Sequence, residues 1–357
     1  MSKVISPGRL AALGLAFSAL LFGPSLFDVS GANPYQSRNT HFGVSGGNVN
    51  DVSRAFCCSG TLGSLVQDSN LVQYALSNNH VLARADQASP GENISQPGLV
   101  DSSCQPATTV ANFTSAVPLG NNVDAAIAHV ITGQMDPTGF IEGIGLISGV
   151  VKAPSVGLAV EKSGRTTGTT TGTVGSINTS VSVQYQKGCN QGKKFVVSYT
   201  NQVVINSTTF SAGGDSGSLI VSNNATCPQP VALLFAGSSS TTIANPIGEV
   251  LSKLTPAVSF VGSVCSASTS EQPISDGQTA PSIESVARAT KAMRTQEADL
   301  MSRPGIIGVG VGESDTGSTD AAIVVYVDVN SPVSAKVPKK INGVRVRKVF
   351  TEPFVAY

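Results

Sequence analysis

Between about residues 35 and 265, apolar residues come in short runs that Gly, Asn, Ser or Pro interrupt every few positions. The clearest runs are Gly60–Val66, Leu71–Leu76, Ala125–Ile131, Thr173–Ile177, Val181–Tyr185, Phe195–Tyr199, Ser218–Val221 and Val231–Phe235. No long stretch repeats with the 3.6-residue period of an amphipathic helix. Many short strands joined by turns are typical of a barrel or sandwich, so this part of the chain is predicted to be mostly β.

The pattern changes after residue 265. Residues 266–281, SASTSEQPISDGQTAP, contain no apolar run and indicate a flexible linker. Residues 282–301 have apolar residues on one side of a helical pattern and charged residues between them, as an amphipathic helix does. Three strand-like runs follow, namely Ile306–Val311, Ala321–Val329 and Val344–Phe350. We therefore predict a small α+β domain at residues 282–357 that folds separately and whose role the sequence leaves open.

The N-terminus carries a targeting pattern. Lys3 and Arg9 precede an apolar run of 13 residues, LAALGLAFSALLF, and the small residues Ser30, Gly31 and Ala32 follow. The run is too short to span a bilayer but has the length of a signal-peptide core. We predict a signal peptide at residues 1–32, hence a secreted or periplasmic protein without stable membrane association after cleavage. An uncleaved anchor is the alternative.

The remaining chain holds six cysteines, and an even number in an exported protein predicts disulfides. Cys57 and Cys58 are adjacent, so they are expected to take different partners. There is no C-x-x-C pair and no zinc-site spacing, and we expect neither a metal nor a cofactor. Charged residues make up only 12% and the net charge is zero, which argues against nucleic acid as a partner.

Three short motifs carry residues suited to nucleophilic catalysis. Ser216 lies in GGDSGS, His80 in SNNHVLA and Asp124 in NNVDAAIA. A serine hydroxyl attacks a carbonyl only when a base removes its proton and a third group orients that base. The order His, Asp, Ser, with spacings of 44 and 92 residues, is that of the chymotrypsin-type triad.

Over about residues 45–260 the chain resembles the trypsin/chymotrypsin-like serine peptidases in these three motifs. The stretch SGRTTGTTTGTV at residues 163–174 is similar to the same region of bacterial alpha-lytic-type proteases. The resemblance implies two antiparallel six-stranded β-barrels with the triad at their junction. It places a trypsin-like serine peptidase domain at residues 33–265.

The resemblance also implies a role for each residue. Ser216 would be the nucleophile, His80 the base and Asp124 the group that orients it, while the amides of Gly214 and Ser216 would form the oxyanion hole. The predicted substrate pocket comprises Phe210, Ala236, Gly237 and Ser238. An uncharged Phe210 at its base argues against Arg or Lys, and predicts cleavage after small or medium apolar residues.

Departures from the relatives lead to further predictions. The partner expected for Cys58 is missing after the histidine motif, so Cys104 is proposed, and Cys189 is paired with Cys227. Bacterial relatives place an Arg just before the S-G-x-T-T-G stretch to neutralise the Asp that precedes the nucleophile. Lys162 occupies that place here, which predicts a Lys162–Asp215 ion pair.

Competing interpretations are weaker. The α/β-hydrolase elbow G-x-S-x-G does not fit, because Ser218 occupies its last position. GVGVG at residues 308–312 lacks the dinucleotide spacing and indicates a glycine-rich strand. His41 and His129 are predicted to be structural or solvated.

The sequence therefore predicts a secreted serine endopeptidase that hydrolyses polypeptides through an acyl-enzyme. The alternative is a catalytically weak or inactive peptide-binding protein of the same fold.

Overall fold

The computed structural model describes residues 37–189, 191–262, 280–315, 318–331 and 337–357. The predicted signal peptide and nearly all of the predicted linker lie outside these residues. Strands make up 44% and helices 11% of the described residues, so the predicted mostly β fold is confirmed. No helix in the described ranges has the length and apolarity that a membrane crossing requires.

The first sheet curls into a half-barrel and is built mainly from the N-terminal part of the chain. Its eight strands are β1 (Val44–Asn48), β2 (Gly60–Leu62), β3 (Ser64–Gln67), β4 (Gln73–Ser77), β5 (Asn93–Gln96), β6 (Thr108–Ala116), β7 (Ala126–Val130) and β14 (Ser259–Phe260). Their order in the sheet is β14, β3, β4, β7, β6, β5, β1, β2, and all neighbours are antiparallel.

The second sheet contains a closed antiparallel ring. Its strands are β8 (Ala159–Gly164), β9 (Gly168–Gln186), β10 (Lys194–Asn206), β11 (Leu219–Ser222), β12 (Pro230–Ser238) and β13 (Thr241–Pro246). They follow the order β10, β13, β12, β11, β8, β9, and β9 then pairs with β10 to close the ring. This is the six-stranded barrel that the resemblance implies.

The last part of the chain forms the predicted α+β elements. They are α3 (Ile283–Arg294), α4 (Glu297–Met301), β15 (Ile306–Glu313), β16 (Ala321–Asp328), β17 (Lys340–Ile341), β18 (Val344–Thr351) and β19 (Phe354–Ala356). The hydroxyl of Ser282 caps α3 by accepting the N–H of Ser285 at 3.2 Å. The helices and one face of β15 and β16 share an apolar core that includes Met293, Leu300 and Val309.

These C-terminal elements pair and pack with strands of the barrel, and their separate folding stays a prediction. β15 pairs antiparallel with β9, and β19 pairs with both β9 and β12. Val324, Tyr326 and Phe354 share a core with Val181 and Phe235 of the barrel. The physical reason is β9, whose 19 residues extend beyond β8 and offer an edge that β15 completes.

The glycine-rich stretch at residues 308–312 is the strand β15, as predicted. A Cβ at Gly310 would overlap the Thr179 side chain, and one at Gly312 would overlap the carbonyl oxygen of Gly175. Glycine therefore lets β15 approach β9 closely.

Two short helices flank the barrel strands. α1 (Asn79–Leu82) follows β4, and α2 (Ile247–Lys253) follows β13. A 3₁₀ turn, Leu99–Ser102, lies between β5 and β6.

Two disulfides join the described residues, Cys57–Cys104 and Cys58–Cys189. The predicted pairs Cys58–Cys104 and Cys189–Cys227 are therefore wrong. Successive residues of an extended chain point to opposite sides, so Cys57 and Cys58 do face different partners. Which of them faces which partner depends on how distant loops pack, and local sequence carries no signal for that.

Candidate active site

The pairing of β4 with β7 brings His80 and Asp124 together. Ser77 at the end of β4 lies opposite Ala126 at the start of β7. His80 follows Ser77 by three positions, and Asp124 precedes Ala126 by two. His80 Nδ1 lies 2.6 Å from Asp124 Oδ2, and the carboxylate is fully buried. A buried carboxylate at this nitrogen holds the imidazole in one orientation and tautomer.

Further hydrogen bonds hold the Asp124 carboxylate and main chain. Tyr185 Oη donates to Oδ2 at 2.9 Å, and the His80 main-chain N–H donates to Oδ1 at 3.2 Å. The Asp124 N–H donates to the side-chain oxygen of Asn245 at 2.9 Å, and its carbonyl accepts from Asn78 Nδ2 at 2.6 Å. The acid is thus fixed from four directions.

The pKa of His80 is raised above its ordinary value of 6.5. Burial alone lowers the pKa of this imidazole, but the Asp124 carboxylate outweighs it by charge and hydrogen bonding. The Tyr357 carbonyl and the charge of Asp51 raise the pKa further. The imidazolium is therefore the favoured form over a wider pH range than for a free histidine.

Ser216 lies in a tight turn before β11, where the two sheets meet. Gly214 and Gly217 on either side have φ of +97° and +94°, which favour glycine. The N–H of Gly217 donates to Leu234 O at 2.9 Å, and the N–H of Thr61 donates to Ser216 O at 2.8 Å. The turn is therefore tied to β12 of one sheet and β2 of the other.

Gly214 and Ser216 carry the main-chain amides that the sequence predicts as oxyanion donors. Neither the Gly214 nor the Ser216 amide donates to another of the described residues. A Cβ at Gly214 would lie 2.5 Å from Thr166 Oγ1, so the close packing of this turn requires glycine. The hydroxyl of Thr61 donates to Gly214 O at 3.0 Å, which sets the orientation of the peptide.

His80 and Ser216 both make hydrogen bonds close to Tyr357. Among the described residues, His80 Nε2 pairs with the carbonyl oxygen of Tyr357 at 2.9 Å rather than with Ser216. Ser216 Oγ donates to Phe235 O at 3.2 Å, the same oxygen that the Tyr357 N–H approaches at 3.4 Å. Ser216 is fully buried.

Lys162 and Asp215 lie together next to the turn that contains Ser216. Lys162 Nζ is 3.5 Å from Asp215 Oδ2, and both side chains are fully buried. The ammonium also donates to Gly168 O at 2.9 Å. Burial lowers the pKa of Lys162, and the Asp215 carboxylate opposes that shift. Asp215 further accepts from the amides of Thr166 at 2.8 Å and Thr167 at 3.2 Å.

The residues of the predicted pocket lie on both sides of Tyr357. Ala236 and Gly237 pair with the strand that precedes Tyr357, and Ser238 O accepts from Tyr357 Oη at 2.8 Å. Phe210 is fully buried in an apolar cluster against which the Tyr357 ring packs.

The other two histidines lie away from this centre. His41 Nδ1 pairs with Glu142 at 2.6 Å and its ring packs on Phe140. His129 lies exposed in β7.

Tyr185 and Tyr199 are the site residues that sequence reasoning missed. Their hydroxyls lie 2.7 Å apart, and only that of Tyr185 donates to Asp124. Burial raises the pKa of Tyr185 well above 10, so it remains a donor. No local motif marks either residue, because their meeting depends on the register of β9 and β10.

We expect Tyr185→Phe to lower turnover by roughly tenfold, since a hydrogen bond to a charged group contributes about 1.5–3 kcal/mol. The carboxylate then attracts the imidazolium more strongly, so the pH midpoint of activity should rise. Tyr199→Phe is the matched control and should change both quantities less. Equal effects of both variants, without a pH shift, would assign Tyr185 to packing only.

The chain matches a family model. Residues 49–234, more than half of the 357-residue chain, match the model described as Peptidase family S64. The matched residues include His80, Asp124 and Ser216. The match ends at residue 234, before Ala236 and Gly237, the residues of β12 that pair with β19. Among curated proteins, none matches this sequence.

Solved structures of serine proteases are similar to the chain at low identity. A glutamic-acid-specific serine protease is 22% identical, with a TM-score of 0.42, and the match covers 61% of this chain and 98% of that one. Protease A of Thermobifida fusca is 17% identical, with a TM-score of 0.42, and coverage is 62% and 98%. The alpha-lytic protease homolog N4 is 18% identical, with a TM-score of 0.40, and coverage is 60% and 95%.

Proposed function

The chain belongs to Peptidase family S64 and is a serine-type peptidase, and we propose that it is an endopeptidase in which Ser216, His80 and Asp124 carry the reaction. Its substrates are polypeptides. The observation that carries the assignment of residues is the buried His80–Asp124 pair, 2.6 Å apart, together with the turn at Ser216, where the Gly214 and Ser216 amides donate to none of the described residues.

The proposed reaction proceeds in two halves. Ser216 Oγ forms a bond to the peptide carbonyl carbon while His80 Nε2 takes the hydroxyl proton, giving a tetrahedral oxyanion. The C–N bond then breaks, and His80 returns the proton to the leaving amine, which leaves an acyl-enzyme. Water repeats the sequence to release the acid and restore Ser216.

The surrounding groups lower the barrier for specific reasons. The Gly214 and Ser216 amides stabilise the oxyanion, and removing one such donor costs about 10²–10³ in rate. Asp124 stabilises the imidazolium that forms during each half, and Tyr185 holds the carboxylate in place.

A fluorophosphonate probe tests the assignment of the nucleophile. We expect the full chain to become labelled at Ser216, whereas Ser216→Ala and His80→Ala do not react. Peptide mapping of the labelled chain locates the modified residue. Labelling of a different serine in the wild type would remove the proposed triad.

The pH dependence follows from His80. Its raised pKa means that the imidazolium persists above pH 6.5, and activity should rise through that pKa as the base is freed. Folding stability depends on pH in the opposite direction to activity. The contribution of His80 to the free energy of unfolding is complete below about pH 6.5 and is lost as pH rises through the folded-state pKa. Rates of peptide hydrolysis from pH 5 to 9 check this, and a flat profile would contradict it.

We also propose that the protein acts outside the cytoplasm. The two disulfides support this, because such bonds persist in oxidising compartments. The alternative function is a peptide-binding protein with little activity. It is supported by the hydrogen bond between His80 Nε2 and the Tyr357 carbonyl oxygen, which leaves this nitrogen unavailable to Ser216 in the structure. Complete resistance of the Ser216 hydroxyl to the probe would favour that alternative.

A further inference from the structure

Residues 354–357 lie along the edge of the barrel beside the nucleophile, and we call them the cleft segment. β19 runs antiparallel to β12, with Ala356 opposite Ala236 and Val355 opposite Gly237. On its other side β19 runs parallel to β9. A strand added to a sheet edge in this way is a common mode of peptide recognition, in which main-chain pairing supplies affinity and side-chain pockets supply selectivity.

The cleft segment ends among the groups proposed to act on a substrate. The Tyr357 N–H approaches Phe235 O at 3.4 Å, and the Tyr357 carbonyl oxygen lies 2.9 Å from His80 Nε2. Ser216 Oγ donates to the same Phe235 carbonyl at 3.2 Å. Tyr357 is therefore placed as the residue on the acyl side of a cleaved bond would be.

The Tyr357 side chain packs between Gly237 and the apolar cluster of the barrel. Its hydroxyl donates to Ser238 O at 2.8 Å, and its ring packs against the apolar cluster that contains Phe210. A Cβ at Gly237 would overlap the phenol, so glycine makes room for the ring. Burial raises the pKa of Tyr357 to about 12, which keeps the hydroxyl protonated as a donor.

We propose that the cleft accepts polypeptides with Tyr or Phe on the acyl side of the cleaved bond, and that the cleft segment occupies it as the chain's own inhibitor. This rests on the proposed function of Ser216 and names its substrate class and regulation. The occupied pocket takes a larger residue than the small or medium one that Phe210 alone predicts.

Inhibition follows from burial and tethering. Ser216 is fully buried with the cleft segment in place, so an external polypeptide must displace it. Phe354 anchors the segment in the core against Tyr326, with ring centroids 5.9 Å apart. A short tether gives an effective concentration on the order of 1 mM, so a segment that binds at about 0.1 mM would occupy about nine-tenths of the molecules.

The docked segment also requires a charged His80. Nδ1 faces the Asp124 carboxylate and Nε2 faces the Tyr357 carbonyl, and both are acceptors, so both nitrogens must donate. Asp51, whose pKa burial raises to about 6, and the edge of the Tyr185 ring at 6.0 Å also face the imidazole. Rising pH should therefore release the segment as it frees the base.

Shortening the chain tests the proposal. A chain that ends at Thr351 lacks Glu352, Pro353 and the whole cleft segment, so the edge of β12 is open to an added peptide. We expect fluorophosphonate to label Ser216 about tenfold faster in this chain than in the full one, from the tethering estimate. The pH midpoint of labelling should also fall, because the Tyr357 carbonyl no longer raises the pKa of His80.

Substitutions provide the controls. Tyr357→Ala keeps the full length and should accelerate labelling, whereas Val329→Thr changes a side chain outside the cleft segment that is 51% exposed and should leave the rate unchanged. If the shortened chain loses its circular dichroism, Tyr357→Ala decides the outcome. Equal labelling rates for Tyr357→Ala, Val329→Thr and wild type would overturn the inhibitory role.

Binding separates this proposal from the catalytic one. In a Ser216→Ala background, a fluorescein-labelled EPFVAY peptide should bind the shortened chain at least tenfold more tightly than the full chain. If the peptide binds in this way but fluorophosphonate labels no variant, the docking of the cleft segment is supported and the peptidase mechanism is refuted. If fluorophosphonate labels the shortened chain and added EPFVAY does not slow that labelling, the inhibitory role of the cleft segment is refuted. The proposed peptidase mechanism is then unaffected.

The substrate class is tested on the shortened chain with FVA-Xaa-anilides. We expect kcat/KM for Tyr and Phe to exceed that for Ala by roughly 10- to 100-fold, the range expected from burying an aromatic ring. A preference for Ala, Glu, Lys or Arg would overturn the aromatic pocket.

Discussion

Ser216→Ala and His80→Ala are each expected to reduce kcat by roughly 10⁴–10⁶, the range in which removal of a triad member falls in other serine peptidases. Without the Oγ atom no acyl-enzyme can form, and without the imidazole nothing takes its proton. Peptide binding should persist in Ser216→Ala, because the main-chain pairing with β12 does not use the hydroxyl. Steady-state hydrolysis, with binding measured separately, checks both statements.

Asp124→Asn should cost about 10⁴ for a different reason. The amide cannot hold the tautomer that presents a basic Nε2, although the packing around Tyr185 and Asn245 can remain. The double variant Ser216→Ala/Asp124→Asn should be no slower than Ser216→Ala alone, because the residues act as one unit. His129→Ala is the matched control, since this histidine is exposed in β7. A loss of activity in His129→Ala, or full activity in Ser216→Ala, would contradict the assignment.

The core of the site could be predicted because its residues lie in local motifs. His80, Asp124 and Ser216 each follow or precede a strand that apolar runs reveal, and antiparallel pairing of neighbouring strands then places His80 against Asp124. The same holds for β15, β16 and β18, whose apolar runs give their bounds to within a few residues. These features depend only on the amino-acid sequence of short segments.

Other features depend on contacts between distant parts of the chain. The hydroxyl of Tyr185 reaches Asp124 only because the register of β9 and β10 points it inward, and a tyrosine in a strand carries no mark of that role. Likewise, nothing in FVAY distinguishes a segment that docks beside Ser216 from any other short strand. The disulfide partners failed as predictions for the same reason.

Lys162→Met is expected to destabilise the fold by about 3–5 kcal/mol, the usual cost of removing one partner from a buried ion pair. Lys162 and Asp215 are both fully buried, and their charged atoms lie 3.5 Å apart. Methionine has a similar length and fills the space, so the loss reports charge rather than a cavity. Chemical denaturation should show a lower midpoint, with Lys193→Met as the control, because that lysine is exposed.

Asp215 keeps several hydrogen bonds in the Lys162→Met variant, and these bonds determine which neighbouring loops the substitution disturbs. Its carboxylate accepts from the Thr166 and Thr167 amides at 2.8 and 3.2 Å and from the Ala212 amide at 3.0 Å. These bonds tie the loop after β8 to the nucleophile turn, and Gly214 packs directly on Thr166. An uncompensated charge that draws in water would loosen this connection and turn the oxyanion amide.

Activity should therefore fall by more than the unfolded fraction explains. We expect Lys162→Met to label with fluorophosphonate about 10²-fold more slowly under conditions where it is fully folded, the cost of one misplaced oxyanion donor. Lys162→Arg retains the charge but not the shape, so it should fall between Met and wild type. If Lys162→Met matches Lys193→Met in both denaturation midpoint and labelling rate, the ion pair neither stabilises the fold nor positions the oxyanion hole, and the hydrogen bonds to Asp215 alone suffice.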